Sequence, residues 1–323
     1  MIKYTIKRIA MMIPAIIVII FIIFTLIYYL PGSSLNMTPI HRDGDALNTI
    51  FEKTGANANL FTRFLRYFYN AVVHQDFGRA MSTRSSMFND MQYRVWNTLL
   101  LLLSGVGITI VVGIPLGVYA ALKKGRAGDR IVSIIALFLS AIPAYSIAMI
   151  LALIFCVYLR LIPVVQSYNN PQAFILPAVT IAIGGIASIA RMTRTSMLEV
   201  LEQPFITSLR AKGLTERNVV LKHAIVNALV PIISTFGGFI AQLLCGTLVV
   251  EFFFNIPGLG TLMLNSLSVR SHYEILACTM FLTVILMCLN LVCDILYSIV
   301  SPQIRLRYTN RRTRLSTRRQ EDE

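Results

Sequence analysis

The sequence predicts an all-α integral membrane protein with six transmembrane helices and both termini on the cytoplasmic side. Three observations predict it. Of 323 residues, 56% are hydrophobic and only 14% charged, with a mean hydropathy of +0.69, whereas a soluble domain carries about 25% charge. Charge-free apolar runs recur at lengths near the ~20 residues a helix needs to cross a ~30 Å hydrocarbon core. The basic residues cluster in alternate connections, as cytoplasmic loops require. This composition excludes disorder, collagen-like repeats and a disulfide scaffold.

The first run, Ile9–Leu30, follows Lys3, Lys7 and Arg8. At 22 residues it exceeds the ~7–15-residue apolar region of a cleaved signal peptide, so it reads as a retained helix. The second run is Val95–Leu122 and the third Ile131–Leu159. The fourth is shorter, Ala173–Ala190, behind the turn-rich stretch Gln166–Pro171. The fifth is Ala224–Val250, and the sixth, Ile275–Val300, is interrupted only by Asp294. The chain thus divides into an N-terminal cytoplasmic end with the first helix (1–30), an extracytoplasmic segment (31–94), a five-helix core (95–300) with a cytoplasmic loop at 191–223, and a basic cytoplasmic tail (301–323).

Six spans put both termini on one side, and the Lys/Arg count says which. Of 29 basic residues, 20 fall in the N-terminus, the 123–130 turn, the 191–223 loop and the tail. The short connections show the bias best: 4 in the 123–130 turn against Arg160 alone between the third and fourth spans. By the positive-inside rule those segments face the cytoplasm. The net charge of +14 therefore reads as topology and not as a nucleic-acid surface. The tail arginines Arg311, Arg312, Arg314, Arg318 and Arg319 suit anionic membrane lipids.

Between the spans, the 31–94 segment carries an aromatic patch in which Phe61, Phe64, Leu65 and Phe68 share one helical face. It reads as a short helix packed on the membrane surface, or as a platform for an outside partner. The core spans are rich in small residues, with a GxxxG spacing at Gly113–Gly117 and pairs at Gly184-Gly185 and Gly237-Gly238. Small residues let membrane helices approach closely, because packing drives association in lipid. Pro115, Pro143, Pro177 and Pro231 lie in or at the edges of spans, where they free backbone groups that neighbours must satisfy.

The 191–223 loop is the most informative segment. Arg194, Met197, Leu198 and Leu201 have amphipathic spacing, followed by a break at Gln203-Pro204 and a second piece, Phe205 to Gly213. Gly213 reads as a helix stop, since Gly tolerates the left-handed C-terminal position. Thr215, before Glu216, reads as the start of another helix. Two short helices joined by a glycine would make a rigid knob; an interfacial helix lying on lipid is the other reading.

Much chemistry is missing from the sequence. It contains no GxxxxGK[ST], HExxH or GxSxG, which removes the usual ATP site and the zinc- and serine-protease motifs. The four His are scattered. Cys156, Cys245, Cys278, Cys288 and Cys293 lie in apolar runs without CxxC spacing, so neither a metal centre nor a disulfide framework is indicated. Only Asp294 and, at a helix end, Glu251 bring carboxylates into the spans. Ion-coupled carriers usually need more, each buried charge costing roughly 2.5–3.5 kcal/mol on insertion scales. The chain reads as a pathway without its own motor.

Several stretches then point to one family. They are Tyr4-Thr-Ile-Lys-Arg-Ile with the closing Leu30-Pro31-Gly32; Phe77-Gly78; Asn97-Thr98-Leu99; and Gly113 through Leu122. Further on come Arg210-Ala-Lys-Gly-Leu214 with His223-Ala224 and Asn227 to Pro231; Phe254-Asn-Ile-Pro-Gly-Leu-Gly260; Asp294; and Ser301-Pro302-Gln-Ile-Arg305. In this order they resemble the permease subunits of ATP-binding-cassette (ABC) importers of the oligopeptide/dipeptide/nickel family, the first of its two permease paralogues, over nearly the whole chain. The resemblance implies a type I importer permease fold in the bacterial inner membrane, no cofactor and no chemistry on this chain. It implies a heterodimer with a paralogous permease, two cytoplasmic ABC ATPases and an extracytoplasmic solute-binding protein. It implies a cargo of short peptides, with nickel or another small solute as alternatives. An autonomous secondary carrier is a rival from another class.

The resemblance also assigns residues. In the family, the loop matching 191–223 carries the EAA-type motif, whose short helix docks on the ATPase. Carried over, the coupling residues are Glu199, Phe205, Arg210, Ala211, Lys212, Gly213, Leu214, His223 and Asn227. Thr207, Ser208 and Leu209 stand where the motif has Glu-Ala-Ala, and Val226 where it has a proline. Asn255, Pro257, Gly258 and Gly260 are expected to form an extracytoplasmic turn that gates the path or contacts the binding protein, the plainer alternative being a turn that joins the fifth and sixth spans. Ser33 follows Pro31-Gly32, where the family usually has an aspartate.

Overall fold

A computed structural model describes residues 2–30, 59–77, 87–162 and 174–300. The tail, the Pro31-Gly32 motif, Gly78 and the 166–171 turn lie outside the described residues. Within them the chain folds as helices: α1 (Ile2–Tyr28), α2 (Leu60–Val73), α3 (Met87–Leu122), α4 (Ala127–Ala141), α5 (Ala144–Ala152), α6 (Ile175–Leu201), α7 (Pro204–Ala211), α8 (Glu216–Asn218), α9 (Ile225–Phe253), α10 (Leu259–Val269) and α11 (His272–Val300). Two π-helical stretches, Leu153–Tyr158 and Val219–Ala224, extend α5 and join α8 to α9. Among the described residues five helical runs are long and apolar enough to cross a membrane, and the bent α4–α5 pair makes a sixth if it is counted as one span.

That bend revises the third span. α4 and α5 meet at 99° across Ile142 and Pro143, within the single apolar run expected over Ile131–Leu159. Pro143 has no N–H to donate and its ring clashes with the preceding turn. Ile142 takes the extended conformation (φ −85°, ψ 127°) that a following proline favours. Pro115 and Pro231 instead lie inside α3 and α9, and Pro177 sits in the first turn of α6.

The core is α3 against α6. Along α3, Gly105, Thr109, Gly113 and Gly117 recur every fourth residue and so lie on one face. Each meets α6: a Cβ at Gly105 would touch Ile181, at Gly113 Ile189, and at Gly117 Ala190 and Thr193. On the α6 side, a Cβ at Gly185 would strike Thr109. The GxxxG at 113–117 is half of this longer stripe. α9, α10 and α11 complete the core around Leu101, Leu102, Leu243, Leu244, Leu259 and Cys278. At 36 residues, α3 is about 54 Å long, well beyond the ~30 Å hydrocarbon thickness, so it projects past the core.

α1 sits at the rim on α11 and α2. Ile20, Phe24 and Ile27 face inward, while Ile9, Ile13, Val18, Ile22 and Leu26 are exposed, an apolar face suited to lipid. Arg8 pairs with Asp294 of α11 at 2.8 Å. α2 confirms the aromatic patch but shifts its face. Phe64 is buried between Phe21 (5.0 Å between centroids) and Phe24 (5.7 Å), with Phe68 beside it and Arg63 over the Tyr28 ring. Phe61 and Leu65, expected on the same face, are exposed. The stripe that packs is Phe64, Phe68 and Ala71.

Candidate functional site

Two sites lie at opposite ends of the bundle. The first is built on α7. α6 runs unbroken to Leu201, so the first third of the 191–223 loop continues the span instead of forming a separate helix. Pro204 then starts α7 as its first residue, where a missing N–H costs nothing. The chain turns at Gly213, with φ +82°, a left-handed conformation that Gly adopts without a Cβ penalty. The Gly213 N–H donates to Arg210 O (2.9 Å) and Leu214 N–H to Leu209 O (3.4 Å). The expected second short helix is not separate. α8 passes through the Val219–Ala224 π-turn directly into α9.

α7 therefore stands between the ends of two long helices, on an apolar foot. Ile206 is fully buried and Leu209 half-buried, against Met197 of α6, Val219, Val220 and Ala224 before α9, and Ala121 of α3. Three spans share this cluster. The upper surface of α7 is open: Phe205 is 40% exposed, and Arg210, Ala211, Lys212 and Gly213 are exposed. Arg210 clips the turn through two N–H···O bonds to Glu216, at 2.7 and 3.0 Å. The Glu216 carboxylate holds the Arg210 guanidinium above its ordinary pKa, so it stays a cation.

Of the residues carried over from the family motif, 205 and 210–214 come together here. Leu214 packs into the apolar foot. Glu199 is exposed near the end of α6. His223 and Asn227 lie on the following helical run, where Asn227 Nδ2 donates to the His223 carbonyl at 2.8 Å. Sequence reasoning missed the foot itself. The Ile206/Leu209 spacing was available as a signal; the pairing with Val219, Val220 and Ala224 was not.

The second site is the turn after α9. Asn255 has φ +52°, so the left-handed residue here is the asparagine and not a glycine. Gly258 (φ −106°) and Gly260 are required by space: a Cβ at Gly258 would collide with the Glu251 carboxylate, and one at Gly260 with the Leu248 backbone. The turn feeds α10, an 11-residue helix, before α11 begins, so it does not join the fifth and sixth spans directly. It is held from two sides. Asn97 Nδ2 of α3 donates to Pro257 O (3.0 Å), and the Leu259 N–H donates to Thr98 Oγ1 (2.9 Å). The Gly260 N–H donates to Glu251 Oε2 (2.7 Å). Side chains from α3 and α9 thus satisfy the first N–H groups of α10, which a helix leaves unpaired. Glu251 is fully buried. It was visible in the sequence as a carboxylate at a span end, but its partner nine residues on was not.

Both sites lie in a chain whose relatives are transport proteins. Residues 113–306 match the family described as "Binding-protein-dependent transport system inner membrane component". The chain is 32% identical over 306 residues to the glutathione transport system permease protein GsiC of Escherichia coli strain K12, covering 94% of this chain and 99% of that one. The GsiC of Shigella flexneri serotype 5b matches at the same identity and coverage. Among solved structures, an inward-facing form of the MetNI methionine ABC transporter superposes with a TM-score of 0.55 at 19% identity. It covers 67% of this chain and 98% of that one, a likeness of fold. With its core of long apolar helices, the chain belongs to the binding-protein-dependent transport-system inner-membrane components, and is a permease component of an ABC importer.

Proposed function

We propose that this permease forms one half of a heterodimeric pathway for short peptides, with a paralogous permease as the other half. A solute-binding protein delivers the peptide from outside, and two cytoplasmic ATPases hydrolyse ATP, so this chain carries no ATP chemistry of its own. Both termini and α7 face the cytoplasm, in keeping with the basic 123–130 turn at the α7 end. α7 docks on one ATPase through Phe205, Arg210, Ala211, Lys212 and Gly213. The turn at Asn255, Pro257, Gly258 and Gly260 lies at the outer mouth.

The observation that carries this reading is the apolar foot of α7. A short exposed helix resting on the ends of α3, α6 and α9 cannot be displaced without moving those helices, because packed interiors transmit strain instead of absorbing it. ATPase closure would therefore reach the pathway as a rigid-body movement. The cargo class is supported by the 32% identity to proteins named for glutathione, itself a tripeptide. A nickel chelate or other small solute is the alternative cargo.

The test is affinity purification of the chain from mild detergent, with mass spectrometry, ATPase assay and peptide uptake by membrane vesicles. The reading predicts that a paralogous permease and ATP-hydrolysing subunits co-purify, and that uptake of di- to pentapeptides requires ATP. Ion-gradient-driven transport by the chain alone in liposomes would replace it with the carrier reading.

A further inference from the structure

The α3–α4 turn is tied to α6 just before α7 by groups that the coupling motif does not include. Asp129, at the start of α4, is buried. It takes Arg194 of α6 in a two-pronged ion pair, Nε to Oδ1 and Nη2 to Oδ2, the latter at 2.9 Å. The same carboxylate accepts the Gly125 N–H at 2.9 Å, where Gly125 has φ +74°, and Ser133 Oγ–H at 3.4 Å. One side chain thus shapes the turn and anchors it. One residue beyond α6, Glu202 receives Lys124 Nζ at 2.7 Å. Ahead of these anchors, Gly117 lies directly on Ala190 and Thr193, and Ala121 joins the foot of α7. Residues 117–130 and 190–206 therefore form a single polar and apolar clamp.

We infer that Asp129 and Arg194 are positioning residues for coupling: they lock the α3–α4 turn to α6, so that a displacement of α7 moves α3, α4 and α6 together. This inference rests on the α7 docking proposed above. The geometry suits a rigid link. A planar guanidinium meets a carboxylate through two parallel bonds, which fixes orientation as well as distance, and a shielded pair is screened less than a surface one. Lys124–Glu202 is exposed at both ends and contributes little by itself. The half-buried pair, with Asp129 the buried partner, is the lock and the exposed pair a guide.

The experiment uses the whole importer, with its ATPases and binding protein, reconstituted in proteoliposomes, and measures peptide transported per ATP hydrolysed. Asp129→Asn and Arg194→Lys keep the shape of the site but lose the two-pronged charge pair. They are expected to leave ATP hydrolysis running while transport per ATP falls by about tenfold, within the range of ordinary coupling energies. The swap Asp129→Arg with Arg194→Asp restores a pair and is expected to recover part of the loss. If Asp129→Asn fails to assemble, Arg194→Lys, which keeps the charge, carries the measurement. Gly213→Asp is the control for α7 itself. Loss of transport in the control with unchanged transport per ATP in both Asp129→Asn and Arg194→Lys overturns this inference alone; a control that transports normally overturns the α7 reading. A parallel fall of transport and hydrolysis with an unchanged ratio also overturns the inference, since it marks lost protein and not lost coupling.

Discussion

Replacing Gly117 by alanine tests the packing on which the proposed coupling rests. The added Cβ would lie 2.5 Å from Ala190 O and 2.5 Å from Thr193 Cβ, about 1 Å inside ordinary carbon–carbon contact. Neither atom is the tip of a flexible side chain, so α6 itself must shift, and overpacking of this kind costs about 1–3 kcal/mol. At Gly107, on the exposed face of the same helix, a Cβ meets nothing within 4 Å. There alanine gains helix propensity of about 0.8–1.0 kcal/mol. The two variants should differ by about 2–4 kcal/mol, roughly 30- to 700-fold in equilibrium constant. Gly113→Ala, with a Cβ 3.1 Å from Ile189 Cγ2, should fall between them. The assay is thermal survival of the purified importer, read as the monodisperse peak remaining after heating. The expected order of stability is Gly107→Ala, wild type, Gly113→Ala, Gly117→Ala. Equal stability of the Gly107 and Gly117 variants would refute the close α3–α6 contact.

Other outcomes follow from single contacts. Gly213→Ala meets no neighbour, yet must hold φ +82°, at about 1–2 kcal/mol; Gly213→Asn should be better tolerated, and peptide uptake by vesicles would rank them. Glu251→Ala leaves the buried Gly260 N–H without its acceptor, an expected loss of about 1–3 kcal/mol, and Glu251→Gln should lose less; thermal survival of the two variants reads the difference. The Lys124 ammonium holds the exposed Glu202 carboxylate below its ordinary pKa. A lowered carboxylate pKa means that the pair contributes at neutral pH and that its contribution disappears as pH falls through the lowered value. Because both side chains are exposed, Glu202→Gln should leave thermal survival at neutral pH nearly unchanged, and a large drop would show a stronger pair than the geometry allows. Asp294→Asn removes one ion-pair partner of Arg8; it should loosen α1, measured as faster proteolysis of the N-terminal helix, with Arg8→Gln behaving alike.

The spans were legible because hydropathy sums over some 20 residues, so one misplaced side chain cannot hide them. Their breaks were less so. Pro143 was visible as a proline, but so were Pro115 and Pro231, which α3 and α9 absorb, so the residue type alone does not say which of them turns the chain. The α7 knob was readable from Pro204 and Gly213 because both act through their own backbones. The Thr215 start was legible too, as Thr215 precedes α8 as its N-cap; the length was not, since nothing local shows that Glu216 begins a run extending to Phe253. Asp129 and Arg194 stand 65 residues apart, and in the sequence each is one more charge in a basic cytoplasmic segment. Long-range pairs of this kind carry no local period, so periodicity cannot find them. The turn after α9 shows the same division: its glycines were evident, but their reasons, the buried Glu251 carboxylate behind Gly258 and the Leu248 backbone behind Gly260, come only with the fold.

The central claim is that α7 is the contact through which ATPases drive this permease. Photocrosslinking from single positions on α7 tests it most directly. A photoreactive residue replacing exposed Phe205 or Ala211 should yield an adduct with an ATP-hydrolysing subunit of the purified importer, while one replacing Trp96, exposed near the other end of the bundle, should not. An ATPase that co-purifies yet forms adducts from Trp96 and from neither α7 position would contradict the account.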